Sequence, residues 1–387
     1  MSSSRAPKPV RSYHLIALAL LALFFAPCAW FIASVPLTQL EAEQIQRAVA
    51  LLRHVGFASE TASSPLVPLL AVTGLLPHLP QRPEMIDPVW LDHLRWLIRA
   101  PFLAVGLLLG TSLCYVARRL YGTAAGNIVL ALYAFSPGMV ACSSLASPQI
   151  VAAWGSFGLI FTAIATAHTL YAPREVILWN WKRILLLGIS IALAAGAQWP
   201  LVWLIVPAAL FMLWAVPHRR PAAMLILLAA VAVALVLLDA AYLASPAALA
   251  RGIAGAGWLN FVAQPLAPKM LGLMLGSFYF DTAPGALLLL LIALAGWIAS
   301  RRIRFFGNTA PLIVFALLVG LSLILPMTGA GVILFASIPF LMLFVSGVFA
   351  DLIESKLQAP ALAVVFAVIA AQAAYSIASL MRMYSRP

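Results

Sequence analysis

Long apolar stretches separated by short polar turns dominate this chain. A segment needs about 20 mostly apolar residues to cross roughly 30 Å of hydrocarbon. Helices are the default inside lipid, because each backbone N–H and C=O must be satisfied within its own segment. The pattern predicts about eleven such segments: 14–35, 95–117, 122–142, 147–170, 184–198, 200–217, 222–243, 283–300, 309–327, 331–350 and 359–381. The pair 184–198 and 200–217 is short and divided at Trp199-Pro200. The first segment reads as an anchor, since its apolar run exceeds a usual signal-peptide core and no small-x-small cleavage site follows. The expected fold class is therefore all-α and polytopic, a single transmembrane domain over 1–387.

Two connections are long, 36–94 and 244–282. The first holds six of the eleven acids: Glu41, Glu43, Glu60, Glu84, Asp87 and Asp92. Ile45, Val49, Leu52 and Val55 form an apolar stripe at helical spacing, with Gln44, Gln46, Arg47 and Arg53 facing elsewhere. Residues 65–78 are apolar but too short and too Pro-punctuated to span. Both stretches read as helices lying along the membrane interface.

Composition agrees with this plan. Of 387 residues, 64% are apolar and 9% charged, with mean hydropathy +1.05. That excludes an ordinary water-soluble globule, in which about a quarter of residues are charged, and a disordered chain. The formal charge of +12 need not mean nucleic acid, because Lys and Arg collect on cytoplasmic loops. Arg5, Lys8, Arg11, Arg118, Arg119, Arg174, Lys182, Arg183, Arg219, Arg220, Arg301, Arg302, Arg304 and Lys356 all fall on one side if the N-terminus is cytoplasmic, 14 of the 23 basic residues. Arg382 and Arg386 then lie on the other. The expected location is a bacterial inner membrane, with both long connections outside the cytoplasm. No nucleic-acid partner is expected.

Chemistry has few places to sit. Cys28, Cys114 and Cys142 lie in apolar runs without a CxxC, and His54, His78 and His93 have unrelated spacings, so no metal site is read. Glu41 leads as a functional acid, followed by Glu43, which also pairs at i,i+4 with Arg47. Asp239 sits near the outer end of an apolar run, where an ionisable group usually faces an interior or a cavity. Asp281 reads as a cap before Pro284. Arg95 and Arg99 share a face at the outer end of the second span. Arg95, Lys269 and Arg251 suit a phosphate. Gly122 and Gly126 form a helix-packing GxxxG.

Several segments, in order, resemble the GT-C glycosyltransferases, especially the branch of protein O-mannosyltransferases and lipid A aminoarabinose transferases. They are LEAEQIQRAVALLRHVG (40–56), SSPLVPLL (63–70), LRWLIRAPFLAVGLL (94–108), RRLYGTAAGNIVLALYAFSPGMVACSSLASPQIVAAW (118–154), LGISIALAAGAQWPLVWLIVPAALFML (187–213) and FYFDTAPGALLLLL (278–291). The resemblance implies a GT-C-like bundle and a polyprenyl-phosphate sugar donor. It implies transfer with inversion to an extracytoplasmic acceptor, with a first-loop carboxylate as base or acceptor-positioning group. Basic residues would hold the leaving phosphate, and a divalent cation is an open option. A hydroxyl nucleophile needs a base within hydrogen-bond reach, and a leaving phosphate needs positive charge.

The chain departs from that pattern at its polar anchors. The family's acidic pair falls on Leu40-Glu41, and Ser144, Gln149 and Gln198 stand where the family has Arg, Asp and Lys. Two readings follow: a membrane glycosyltransferase, or a non-catalytic GT-C-like subunit serving as scaffold in a complex. A transporter ranks third, for want of an internal repeat or mid-span charges.

Overall fold

A computed structural model describes residues 10–53, 64–78, 88–170, 181–256, 268–299, 305–324, 327–355 and 357–384. All regular elements among them are helical. In chain order they are α1 Val10–Ser34, α2 Gln39–Leu52, α3 Leu66–Thr73, α4 Pro88–His93, α5 Arg95–Tyr121, α6 Thr123–Ala134, α7 Pro137–Ser144 and α8 Pro148–Thr169. There follow α9 Trp181–Ala197, α10 Ile205–Ala215, α11 Arg220–Ala241, α12 Pro246–Gly255, α13 Pro268–Thr282, α14 Pro284–Ala299, α15 Phe305–Ile324, α16 Met327–Ile353 and α17 Gln358–Tyr384.

Six helices among the described residues are long and apolar enough to cross a membrane, and up to eight spans result if each of two bent pairs is one span. The chain is thus a polytopic helical membrane protein. Several expected spans are shorter or broken, and each break lies beside a proline. A residue before proline is driven from helical to extended backbone. Ser136 is extended before Pro137, with a 65° bend between α6 and α7. Gln198 is extended ahead of a short 3-10 turn, Trp199–Leu204, that carries Pro200. Ala283 has a positive φ of 66° before Pro284, and α13 turns by 93° into α14. The connection 244–282, expected as a loop, holds α12 and α13. The reason is that LGLMLGSFYFDT is an uninterrupted helix-compatible run, stopped only by that proline. Asp281 consequently lies inside α13 and does not cap α14; its carbonyl accepts the Ser136 hydroxyl of the α6–α7 bend.

At the centre stands α16. It is buried over its whole spanning length and packs against α5, α6, α8, α14, α15 and α17. A helix that is apolar all round belongs in such a place, where protein surrounds it on every side. Next to it α8 and α9 form a close pair. Gly155 of α8 meets the backbone of Ala194 so closely that a Cβ would collide with it, which is the small-residue packing membrane helices use.

The bundle has two distinct ends. At one, α2 and α3 fold back over the helix tips: α3 touches α5, α9 and α11, and Leu66 lies against Gly196. The expected stripe is buried as a helix face, with Ile45 and Val49 inside. At the other end lie Arg118, Arg119, Lys182, Arg183, Arg219 and Arg220. Each follows or opens a helix whose far tip is under α2 and α3. Arg118 there sits 4.0 Å over the Tyr13 ring and ties the start of α1 to the end of α5. Arg5, Lys8, Arg174, Arg301, Arg302, Arg304, Lys356 and Arg386 lie outside the described residues.

Replacing Gly155 by Val forces α8 and α9 apart against backbone that cannot yield. The expected loss is about 1–3 kcal/mol, read as a lower unfolding midpoint of the detergent-purified protein. An unchanged midpoint would contradict the close approach.

Candidate functional site

The folded-back end is fastened by one buried ion pair. Thr38 opens α2 with a capping box: the Glu41 N–H donates to Thr38 Oγ1 at 3.3 Å, and the Thr38 N–H donates to Glu41 Oε2 at 2.9 Å. The same carboxylate receives Arg99 in a two-pronged pair, Nε to Oε1 at 2.9 Å and Nη2 to Oε2 at 2.7 Å. The Ala146 N–H, in the turn between α7 and α8, donates to Oε1 at 2.9 Å. The Thr38 hydroxyl donates to Oε2 at 3.0 Å. Arg99 in turn donates to the carbonyls of Val35 at 2.7 Å and Pro36 at 2.9 Å, at the exit of α1. Both side chains are nearly inaccessible, at 0% and 3%. Burial alone would raise the carboxyl's pKa. The Arg99 guanidinium and the two backbone N–H groups outweigh it and hold Glu41 below the usual carboxylate range.

This arrangement changes what Glu41 can do. Each of its oxygens is already occupied by donors, and its basicity is lowered, so it holds and orients rather than abstracts a proton. Arg99, which the sequence places on one face with the phosphate candidate Arg95, is spent on the same pair. The T-x-x-E spacing of Thr38 and Glu41 is the sequence signal for the capping half of this assembly. No local signal could name Ala146 or Arg99 as partners, since they lie 105 and 58 residues away.

The other sequence candidates sit apart from it. Glu43 is half-exposed and pairs with Arg47 at 3.9 Å. Arg95 pairs with Asp92 at 3.5 Å on the surface, and Asp92 also accepts the Leu37 N–H at 2.9 Å. Arg251 is exposed on α12 and donates to the Ala247 carbonyl of its own helix. Lys269 lies in the first turn of α13, but its side chain is outside the described residues, as are Glu60, Glu84, Asp87, His54 and Trp258. Leu40, at the position of the first acid in the resemblance, is 71% exposed. Of the sequence candidates, the structure brings Glu41 and Arg99 into direct contact.

Asp239 stands differently. It lies in the last turn of α11, at the folded-back end, and its Oδ1 is buried with no hydrogen-bond partner among the described residues. Tyr242, three residues on and so on the same helix face, has its hydroxyl against the Trp199 indole and beneath Gly252 of α12. Next to Trp199, the Gln198 amide lies against Gly329, near the start of α16. Gln149 in the first turn of α8 and Gln44 on α2 also carry buried, unpartnered side-chain oxygens. Buried polar atoms normally have partners. Three buried oxygens without a partner among the described residues, on α2, α8 and α11 at one end, mark a region suited to water or a polar ligand. Gln44 and the Trp199–Tyr242 pair carry no sequence motif and become visible only in three dimensions. Among the described residues no group of His, Cys, Asp and Glu is placed to hold a metal.

Compared with known proteins, the chain matches no family model, no curated protein and no solved structure.

Glu41→Gln leaves Arg99 charged and buried without compensation, with an expected cost of about 3–5 kcal/mol. Joint replacement, Glu41→Leu with Arg99→Met, is expected to restore most of it. The pH dependence has a definite sign. Glu41 titrates lower in the folded than in the unfolded chain, so its stabilisation is complete above the unfolded carboxylate pKa. It is lost as pH falls from there through the depressed folded value. Unfolding midpoints of wild type and both variants, taken from neutral pH downward, check this; a wild-type acid profile parallel to the Glu41→Gln profile contradicts it.

Proposed function

We propose that this protein is a membrane glycosyltransferase of the GT-C type, with the eleven-span plan and cytoplasmic N-terminus expected from its sequence, in a bacterial inner membrane. It takes a sugar from a polyprenyl-phosphate donor and passes it, with inversion, to an acceptor on the outer face. Two supports lie behind this reading: the ordered resemblance of six segments, and the polar helix tips under α2 and α3.

The observation that carries it is the unspent, buried Oδ1 of Asp239. A general base needs a free lone pair within reach of the acceptor hydroxyl, and Asp239 has one. Glu41 has none, and so acts as the carboxylate that positions α2 and the α7–α8 turn around the acceptor. With Gln149 and Gln198 in place of charged anchors, sugar hydroxyls would be met by amides, which both donate and accept. The leaving phosphate needs a cation, and Lys269 and Arg251 are the sequence's candidates for it.

A second reading, a non-catalytic subunit with the same scaffold, is favoured by one specific observation. The residue at the family's first acidic position, Leu40, is apolar and exposed.

One experiment separates them. Membranes containing the protein are supplied with polyprenyl-phosphate sugars carrying a radiolabel, and lipid-to-acceptor transfer is counted. The transferase reading expects label transfer by wild type and a loss of about 10²–10⁴-fold in Asp239→Asn, with an unchanged unfolding midpoint. No transfer by wild type overturns it and leaves the scaffold, whereas full transfer by Asp239→Asn overturns Asp239 as the base.

A further inference from the structure

A second feature lies in the other half of the bundle, toward the basic end. There α8, α10 and α15 enclose a crevice of about 280 Å³. Its floor is Ile160 and Ala163 of α8 and Ala208 of α10; one wall is Phe211; its mouth is Ile313 and Leu317 of α15. The floor is buried, whereas Ile313 and Leu317 are 52% and 47% exposed. Helices α10 and α15 each rest on the core but do not pack closely on each other. The gap between them therefore opens sideways, at the depth of the spanning helices.

The lining is aliphatic and aromatic, with Thr309 at the basic-end rim. Water has no partners in such a space and does not fill it, while a void facing lipid forfeits dispersion contacts on one side. The bilayer supplies the natural filling, a hydrocarbon chain. What lies at the end of the crevice selects which lipid. From Phe211, α10 runs on to Ala215, about 6 Å at the helical rise. It is followed at once by Pro217, His218, Arg219 and Arg220. Arg219 is engaged with the Leu170 carbonyl at 2.8 Å, which fixes this turn against the end of α8. His218 and Arg220 are exposed.

We propose that the crevice holds one acyl chain of an anionic phospholipid, whose phosphate is met by Arg220 and His218. A cation at the membrane surface attracts anionic headgroups, and a fixed turn beside a preformed slot makes the attraction local. The site is separate from the polar tips under α2 and α3, and it does not depend on the transferase reading.

The test uses full-length protein reconstituted in bilayers of equal phosphatidylglycerol and phosphatidylcholine, then released into detergent and weighed intact by native mass spectrometry. Wild type is expected to retain phosphatidylglycerol over phosphatidylcholine by about tenfold. Ile313→Trp, which plugs the mouth from the lipid-facing side, and Ala310→Leu, which fills the slot, are each expected to lower retained lipid by about tenfold. Arg220→Gln is expected to keep lipid bound while the ratio of the two falls to about one. Unfolding midpoints establish that each variant is folded, and Ile313→Trp carries the test should Ala310→Leu fail to fold. Three results overturn the proposal: equal retention of both phospholipids by wild type, full retention by folded Ile313→Trp, or an isoprenoid lipid as the retained species from native membranes.

Discussion

The pairing of Glu41 with Arg99 is the constraint on which the rest of this end depends. A guanidinium carried on a spanning helix is costly unless every donor finds an acceptor. Here the acceptors come from the α1 exit, at Val35 and Pro36, and from the α2 carboxylate. The carboxylate in turn takes the Ala146 N–H. Three chain segments remote in sequence, 35–41, Arg99 and Ala146, are thereby fixed to one point. Such a pair is a weak source of net stability, since desolvation offsets attraction. Its effect is positional: α2 has one seat and α3 follows it.

That seating has a chemical consequence. A carboxylate that organises structure this completely is a poor proton acceptor, because its lone pairs are occupied and its charged form is favoured. Under the transferase proposal, an acid whose oxygen has no partner among the described residues is the better candidate. Asp239 meets that description at the same end of the bundle. Under the transferase proposal, environment alone divides the labour between a positioning acid and a reactive one.

The two ends of the molecule differ in the physics they offer. Under α2 and α3, amides, an acid, a phenol and an indole lie at the tips of helices broken by proline, where freed backbone and polar side chains can meet water. Toward the other end the helices run unbroken, the lining is hydrocarbon, and arginines cluster where the helices emerge. One end suits a polar reactant, the other a lipid chain and its headgroup. The central α16 is buried over its spanning length.

The helical membrane character, the interfacial stripe of Ile45 and Val49, and the clustering of Arg118, Arg119, Arg219 and Arg220 at one end were all legible in the sequence. Each rests on hydropathy, periodicity or charge, which act locally. The Thr38–Glu41 cap is legible for the same reason. The sequence also singled out Glu41, Arg99 and Asp239, because charge is rare in so apolar a chain. Their roles were decided by the tertiary structure. Whether an acid is spent or free depends on partners 58 and 105 residues distant. Whether a helix crosses whole or bends depends on how proline breaks such as Ser136-Pro137 and Ala283-Pro284 are packed. Apolar periodicity is nearly blind to both, since a helix surrounded by lipid and one surrounded by protein present the same hydrophobic pattern.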